Sequence, residues 1–110
     1  MRLPNADRAA VEIAKLQDYS LNPAHGVGKH KARVFRSALG FTSNDVERLR
    51  QLILNAVLTT DAVQQSSTAH GQRFVVDFEV MGLQGSVTIR SAWIVRNDED
   101  FARLTSCYIL

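Results

Sequence analysis

The pattern that decides the fold is the alternation in RFVVDFEV, residues 73–80. A large apolar residue occupies every second position from Phe74 to Val80, so one face of the extended segment is apolar. The turn sequence MGLQG, residues 81–85, separates it from a second extended segment, Ser86–Arg96. Two such segments around a glycine-rich turn predict a β-hairpin.

Further strands are predicted on either side of this hairpin. Residues 103–109 form a third extended segment after an acidic loop at residues 97–100, and a weaker strand at about residues 62–69 precedes the hairpin. Ser86–Arg96 carries apolar residues on both faces, which is typical of a central strand. Arg90 and Arg96 share one of those faces, so we expect that face to be partly open. The prediction is a four-stranded antiparallel meander.

The first half of the chain reads as helical. We predict a short extended segment through residues 9–13, a brief helix at residues 14–19 closed by Asn22-Pro23, and a second helix over about residues 29–39 that Gly40 ends. A third helix begins with Ser43 as its N-cap. The predicted fold class is therefore α+β, a single domain over residues 1–110 with three N-terminal helices packed on one face of the sheet.

Composition bounds the function. The chain has 110 residues, a formal net charge of +2 and one cysteine, Cys107. An internal disulfide and a cysteine-based zinc site are thereby excluded. No apolar run approaches the roughly 18 residues that span a bilayer, and the first residues lack the apolar core of a signal peptide. We expect a cytoplasmic protein without membrane contact, and the mild positive charge permits a polyanionic partner.

The segment HGVGKHK, residues 25–31, holds the densest chemistry. His25 and His30 are candidates for a general acid and base, because imidazole changes charge near neutral pH. Lys29 and Lys31 are candidate anion-binding groups. Two glycines here do not make a nucleotide fingerprint, since no strand precedes them. The alternative interpretation is a solvent-exposed polar loop.

The predicted sheet offers a second group of candidates. Arg90 in a central strand either binds a phosphate or pairs with a carboxylate such as Asp77. Trp93 is expected in the core, with base stacking as the alternative. On the last strand Thr105 and Tyr108 are predicted on opposite faces, with Cys107 on the face of Thr105. Cys107 is expected to be a small buried hydrophobe rather than a nucleophile.

Several segments resemble an uncharacterised bacterial family of small stand-alone proteins that also occurs as C-terminal modules of polymorphic toxins. They are LPNA (3–6), LNPAH (21–25), GKHKARVF (28–35), LGF (39–41), RSAWIV (90–95) and FARLTSCYI (101–109). A looser similarity is to the barnase–EndoU–colicin–RelE ribonuclease toxins, which place helices before a four-stranded antiparallel sheet. By residue type, that similarity implies a site of His25, Lys29, His30, Arg90, Thr105 and Tyr108.

The leading hypothesis is a metal-independent ribonuclease-like domain that acts on RNA. His25 and His30 are predicted as base and acid, with Lys29 and Arg90 on the phosphate. No cofactor and no metal site are predicted. The main alternative is a non-catalytic interaction module, immunity- or antitoxin-like, that binds a cognate protein through the acidic loop and an exposed sheet edge. A third option is binding of a small anion by the same basic loop without chemistry.

Overall fold

The structure is a computed structural model that describes residues 1–26 and 28–110, with the backbone alone at Tyr19. Val27 of the predicted HGVGKHK segment lies outside the described residues. A short 3-10 turn at Ala6–Arg8 comes first, followed by the helical turn α1 (Ile13–Lys15), a π-turn at Leu16–Ser20 and the helix α2 (Lys29–Leu39). A 3-10 turn at Ser43–Asp45 leads into α3 (Val46–Thr59).

The described residues contain one sheet of four antiparallel strands in the order β1-β2-β3-β4. The strands are β1 (Val63–Gln64), β2 (Gly71–Gly82), β3 (Gly85–Arg96) and β4 (Ala102–Ile109). The predicted meander and hairpin are confirmed. Gly82 pairs with Gly85 across the tight turn, and Gly85 has a φ of 124°, a conformation that favours glycine.

The core lies between one face of this sheet and the helices. Trp93 is 1% exposed, and its indole Nε1 donates to Ser91 Oγ at 2.9 Å. Ser91 Oγ in turn donates to the Val76 carbonyl at 2.8 Å. Trp93 is therefore a core residue, as expected, and the base-stacking alternative is wrong. Other fully or nearly buried side chains are Phe35, Leu49, Ile53, Val57, Phe74, Val76 and Ile89.

The prediction of three N-terminal helices is wrong. Among the described residues, only α2 and α3 exceed two turns, and α1 is a single turn that passes into the π-turn. The Leu21 amide bonds to the Leu16 carbonyl at 2.8 Å, five residues back, and both leucine side chains are buried. Tertiary packing of these two side chains outweighs continuation of a regular helix.

Two helix ends can be compared with the sequence. Gly40 ends α2 with a φ of 73°, as predicted. The predicted cap Ser43 is wrong by one residue, since the Thr42 hydroxyl accepts from the Asn44 amide at 3.3 Å. Asp45 completes the cap by accepting from the Thr42 amide at 2.9 Å.

The N-terminal segment runs beside β4 and is hydrogen-bonded to it. Ala10 donates to the Ala102 carbonyl at 2.9 Å and accepts from the Leu104 amide at 2.9 Å. The predicted extended segment at residues 9–13 forms this isolated parallel bridge. The predicted first strand at residues 62–69 is reduced to β1, in which Val63 pairs with Val75 and Gln64 with Phe74.

Candidate active site

A bulge in β4 determines which side chains of that strand face outward. Ala92 of β3 faces Ser106 and Trp93 faces Leu104, so Thr105 is an extra residue with no partner across the ladder. Its hydroxyl donates to the Ala92 carbonyl at 3.1 Å. Cys107 is buried while Thr105 is exposed, so the prediction that the two share a face is wrong. An extra residue breaks the two-residue period and turns Thr105 outward.

A hollow of about 560 Å³ lies between the N-terminal segment and the bulge of β4. This volume is within the range of small-ligand sites. We call it the His25 hollow, and it is lined by Glu12, Ala14, Lys15, Asp18, His25, Thr105 and Ser106. The hollow thus brings together His25 and Thr105, two of the residues that the resemblance implied for one site.

Local turns hold His25 in the hollow. The Asn22 side-chain oxygen accepts from the Ala24 amide at 2.9 Å, and the Asn22 carbonyl accepts from the His25 amide at 3.2 Å. His25 Nδ1 accepts from the Gly28 amide at 2.9 Å. Because Nδ1 is an acceptor, the proton of the neutral imidazole is on Nε2. The ring is therefore oriented to donate from Nε2.

Sequence reasoning missed Glu12, Lys15, Asp18 and Ser106. The first three recur every third residue, which places them on one side of a helical segment. That spacing was a usable signal. Ser106 had none, because its place beside Thr105 depends on the bulge.

A second group of polar side chains surrounds Tyr108. The Lys31 Nζ lies 4.9 Å from the centre of the Tyr108 ring, and Tyr108 faces Arg90 in the ladder. Arg90 donates from Nε and Nη2 to the two carboxylate oxygens of Asp77, each at 2.8 Å. The hydrogen bond to Asp77, and then that to Tyr108, raises the pKa of Arg90 above its ordinary value. The expected pairing with Asp77 is confirmed.

The two groups adjoin along β4. Ser106 and Tyr108 are two residues apart on the same face, about 7 Å along the strand. Arg90 itself lines a different hollow of about 250 Å³ with Asp61, Val63, Gln65, Val75 and Asp77. The structure therefore brings His25 to Thr105, and Lys31 to Tyr108 and Arg90, as two adjoining clusters rather than one.

The remaining candidates lie at the start of α2. Lys29 is half-buried and His30 is exposed, and neither lines the His25 hollow.

Cys107 is fully buried, and burial raises the pKa of its thiol to about 12. A thiol in that environment is not a nucleophile at neutral pH, in agreement with its interpretation as a small hydrophobe.

The acidic loop is engaged within the fold. Glu99 accepts two bonds from Arg103, at 2.9 and 2.7 Å, and Asp100 pairs with Arg8 at 2.8 Å. These partners lower the pKa of both carboxyl groups. The loop thereby fastens the N-terminal segment beside β4 and supports the wall of the His25 hollow.

Over residues 1–26 and 28–110, no group of three or more His, Cys, Asp or Glu side chains is placed to hold a metal ion. In the same part of the chain, none of the helices has the length and apolar character needed to cross a membrane.

The fold and the hollow define a small α+β domain with a polar site beside its last strand. The model of a family described as Domain of unknown function (DUF6883) matches residues 2–110, and the chain belongs to that family. Comparisons with curated proteins and with solved structures gave no match.

Proposed function

We propose that this domain is a metal-independent ribonuclease whose active site is the His25 hollow. The observation that carries the proposal is the meeting of His25 and Thr105 with Lys15 and Glu12 around one cavity. Cleavage of RNA by its own 2′-hydroxyl needs a base, an acid and groups that stabilise charge on phosphorus. The hollow supplies each type of group from the chain itself.

His25 is the proposed acid, and it acts as the imidazolium ion. Protonation of Nδ1 releases the bond that Nδ1 accepts from the Gly28 amide in the neutral ring, and the Nε2 proton of the imidazolium is the one given to the leaving 5′-oxygen, which leaves a neutral ring. The Glu12 carboxylate takes the proton of the 2′-hydroxyl, and that oxygen attacks phosphorus. The bond from phosphorus to the 5′-oxygen breaks as His25 protonates that oxygen. The products are a 2′,3′-cyclic phosphate and a 5′-hydroxyl end.

Cations and hydroxyls beside the acid bind the phosphates. Lys15 stabilises the charge that develops on the reacting phosphate, and Thr105 and Ser106 donate to its oxygens. The adjoining cluster of Lys31 and Tyr108 receives the neighbouring phosphate of the same strand. Arg90, already paired with Asp77, orients this cluster.

Lys29 and His30 stay predictions. Their place in the first turn of α2, next in sequence to the Gly28 that bonds His25, supports contact with the RNA backbone outside the hollow. The pairing of His25 with His30 as acid and base has less geometric support than the pairing with Glu12, which lines the same cavity.

The non-catalytic interaction module is the second candidate, and one observation weakens it. Glu99 and Asp100 of the acidic loop are paired with arginines of the same chain, so a basic partner would have to displace Arg103 and Arg8 from them. The exposed β1 strand, with Val63 at 62% exposure, still favours pairing with a second chain.

The experiment is incubation of the purified protein with total RNA, with and without a chelator. We expect cleavage that is unaffected by the chelator and falls by about 10²–10⁴-fold in His25→Ala. His70→Ala, which changes an exposed histidine outside the hollow, is the matched control and retains activity. Inert wild-type protein, or cleavage by His25→Ala at the wild-type rate, rejects the proposal.

A further inference from the structure

A second hollow of about 440 Å³ lies beside α2, and we call it the Arg33 hollow. It is lined by Leu21, Pro23, Ala32, Arg33, Arg36, Phe41, Thr42, Ser43 and Asn44. Successive helical residues are about 100° apart, so Arg33 and Arg36 point well away from Lys31 and the cluster around Tyr108. This hollow shares no lining residue with the His25 hollow.

The floor of the Arg33 hollow is apolar. Leu21, Ala32 and Phe41 are each at most 5% exposed, and Pro23 extends this surface. The Arg48 guanidinium lies 5.4 Å from the centre of the Phe41 ring. An apolar floor suits a planar ring system.

The rim of the hollow carries unbalanced positive charge. Arg33 and Arg36 are three residues apart on one helix face, are exposed, and make no ion pair with the described residues. Asp45, the acid nearest this rim in sequence, accepts from the Thr42 amide instead. Two guanidinium groups side by side match the oxygens of a phosphate monoester.

The opposite rim carries polar groups that can form hydrogen bonds to a ligand. Ser43 and Asn44 are exposed, and their side chains make no hydrogen bond within the described part of the chain. An asparagine amide both donates and accepts, which is what the edge of a nucleobase requires.

We propose that the Arg33 hollow binds a nucleoside monophosphate. The phosphate lies between Arg33 and Arg36, the base lies on the floor formed by Leu21 and Phe41, and Asn44 bonds the edge of the base. Inorganic phosphate makes no use of the apolar floor, and a neutral apolar ligand makes no use of the two arginines. The site does not depend on the proposed ribonuclease activity.

The test is titration of the protein with AMP, GMP, CMP and UMP, and separately with inorganic phosphate and adenosine, followed by amide NMR shifts. We expect saturable binding of at least one nucleotide, with shifts centred on residues 32–44 and affinity at least tenfold above that for phosphate or adenosine alone. Absence of saturable binding by all four nucleotides overturns the proposal, as does equal affinity for phosphate.

Three variants locate the site. We expect Arg33→Gln/Arg36→Gln to lower nucleotide affinity at least tenfold. Arg73→Gln/Arg96→Gln, which removes the same charge from exposed positions on the sheet, leaves affinity unchanged. The affinity read from the shifts of residues 32–44 is also unchanged in His25→Ala, because His25 does not line the Arg33 hollow. Equal losses in the two double variants show non-specific attraction, and loss in His25→Ala places the nucleotide in the His25 hollow; either result overturns the proposal without deciding the ribonuclease activity.

Discussion

At the scale of single residues, position in an alternating strand was predictable and local hydrogen bonding was not. Alternation places Arg90 opposite Asp77 and Trp93 in the core, and the structure confirms both. The orientation of the neutral His25 ring depends on one bond, between Nδ1 and the Gly28 amide. No pattern of residue types encodes a bond that depends on the path of a glycine-containing loop.

Ser91 gives a test of the core at this scale. We expect Ser91→Ala to lower the free energy of unfolding by about 1–3 kcal/mol, because the buried Trp93 indole N–H loses its acceptor and the Val76 carbonyl loses its donor. Urea denaturation measures the change. Ser86→Ala, at an exposed position of the same strand, is the control, and equal effects of the two changes contradict this account.

At the scale of elements, the number of strands and the α2 bounds were predictable, whereas the first helix and the bulge were not. The apolar residues of α2 recur with the 3.6-residue period of a helix, and this pattern predicts the bounds of the helix. The turns at residues 13–20 are set by the burial of Leu16 and Leu21 against the rest of the fold. The bulge at Thr105 adds one residue to a strand whose composition does not mark it.

Deletion of Thr105 tests the role of the bulge. Without it, Arg103, Leu104, Ser106 and Cys107 alternate without interruption, and each keeps its present burial. We therefore expect the shortened protein to fold, with wild-type circular dichroism, and to lose at least tenfold in RNA cleavage because one wall of the His25 hollow is changed. Full activity in the folded deletion variant means that the bulge has no catalytic purpose.

The ion pairs of the acidic loop predict that the stability of the fold depends on pH. The pKa values of Glu99 and Asp100 are lowered in the folded protein by Arg103 and Arg8. Their stabilising contribution is therefore complete above the ordinary carboxyl pKa of roughly 4 and is lost as the pH falls through the lower folded values. We expect the midpoint urea concentration of unfolding to decrease as the pH is lowered from about 5 to about 2.

Neutral variants isolate that contribution. Glu99→Gln/Asp100→Asn is expected to have a lower urea midpoint at pH 7 and a flatter dependence on pH than the wild type. Glu79→Gln, at an exposed position with no ion pair among the described residues, is expected to behave as the wild type. Parallel pH curves for the wild type and the double variant contradict the assignment.

At the scale of the whole molecule, the chain forms two hollows that share no lining residue. The N-terminal segment and β4 form one, and α2 with the start of the third helix forms the other. The sequence predicted the α+β class, and the resemblance implied a site that includes both His25 and Thr105. It did not predict the Arg33 hollow, because residues 21–23, 33–36 and 41–44 come together only through the packing of Leu21, Ala32 and Phe41.

The central claim is that His25 acts as the general acid, and its most direct test compares two substrates. One is an RNA dinucleotide, whose alkoxide must be protonated as it leaves, and the other is uridine 3′-(4-nitrophenyl phosphate), whose leaving group departs as an anion. We predict that His25→Ala lowers kcat/KM by about 10²–10⁴-fold on the dinucleotide and by less than about tenfold on the aryl ester. Equal losses on both substrates, or no loss on the dinucleotide, contradict that role.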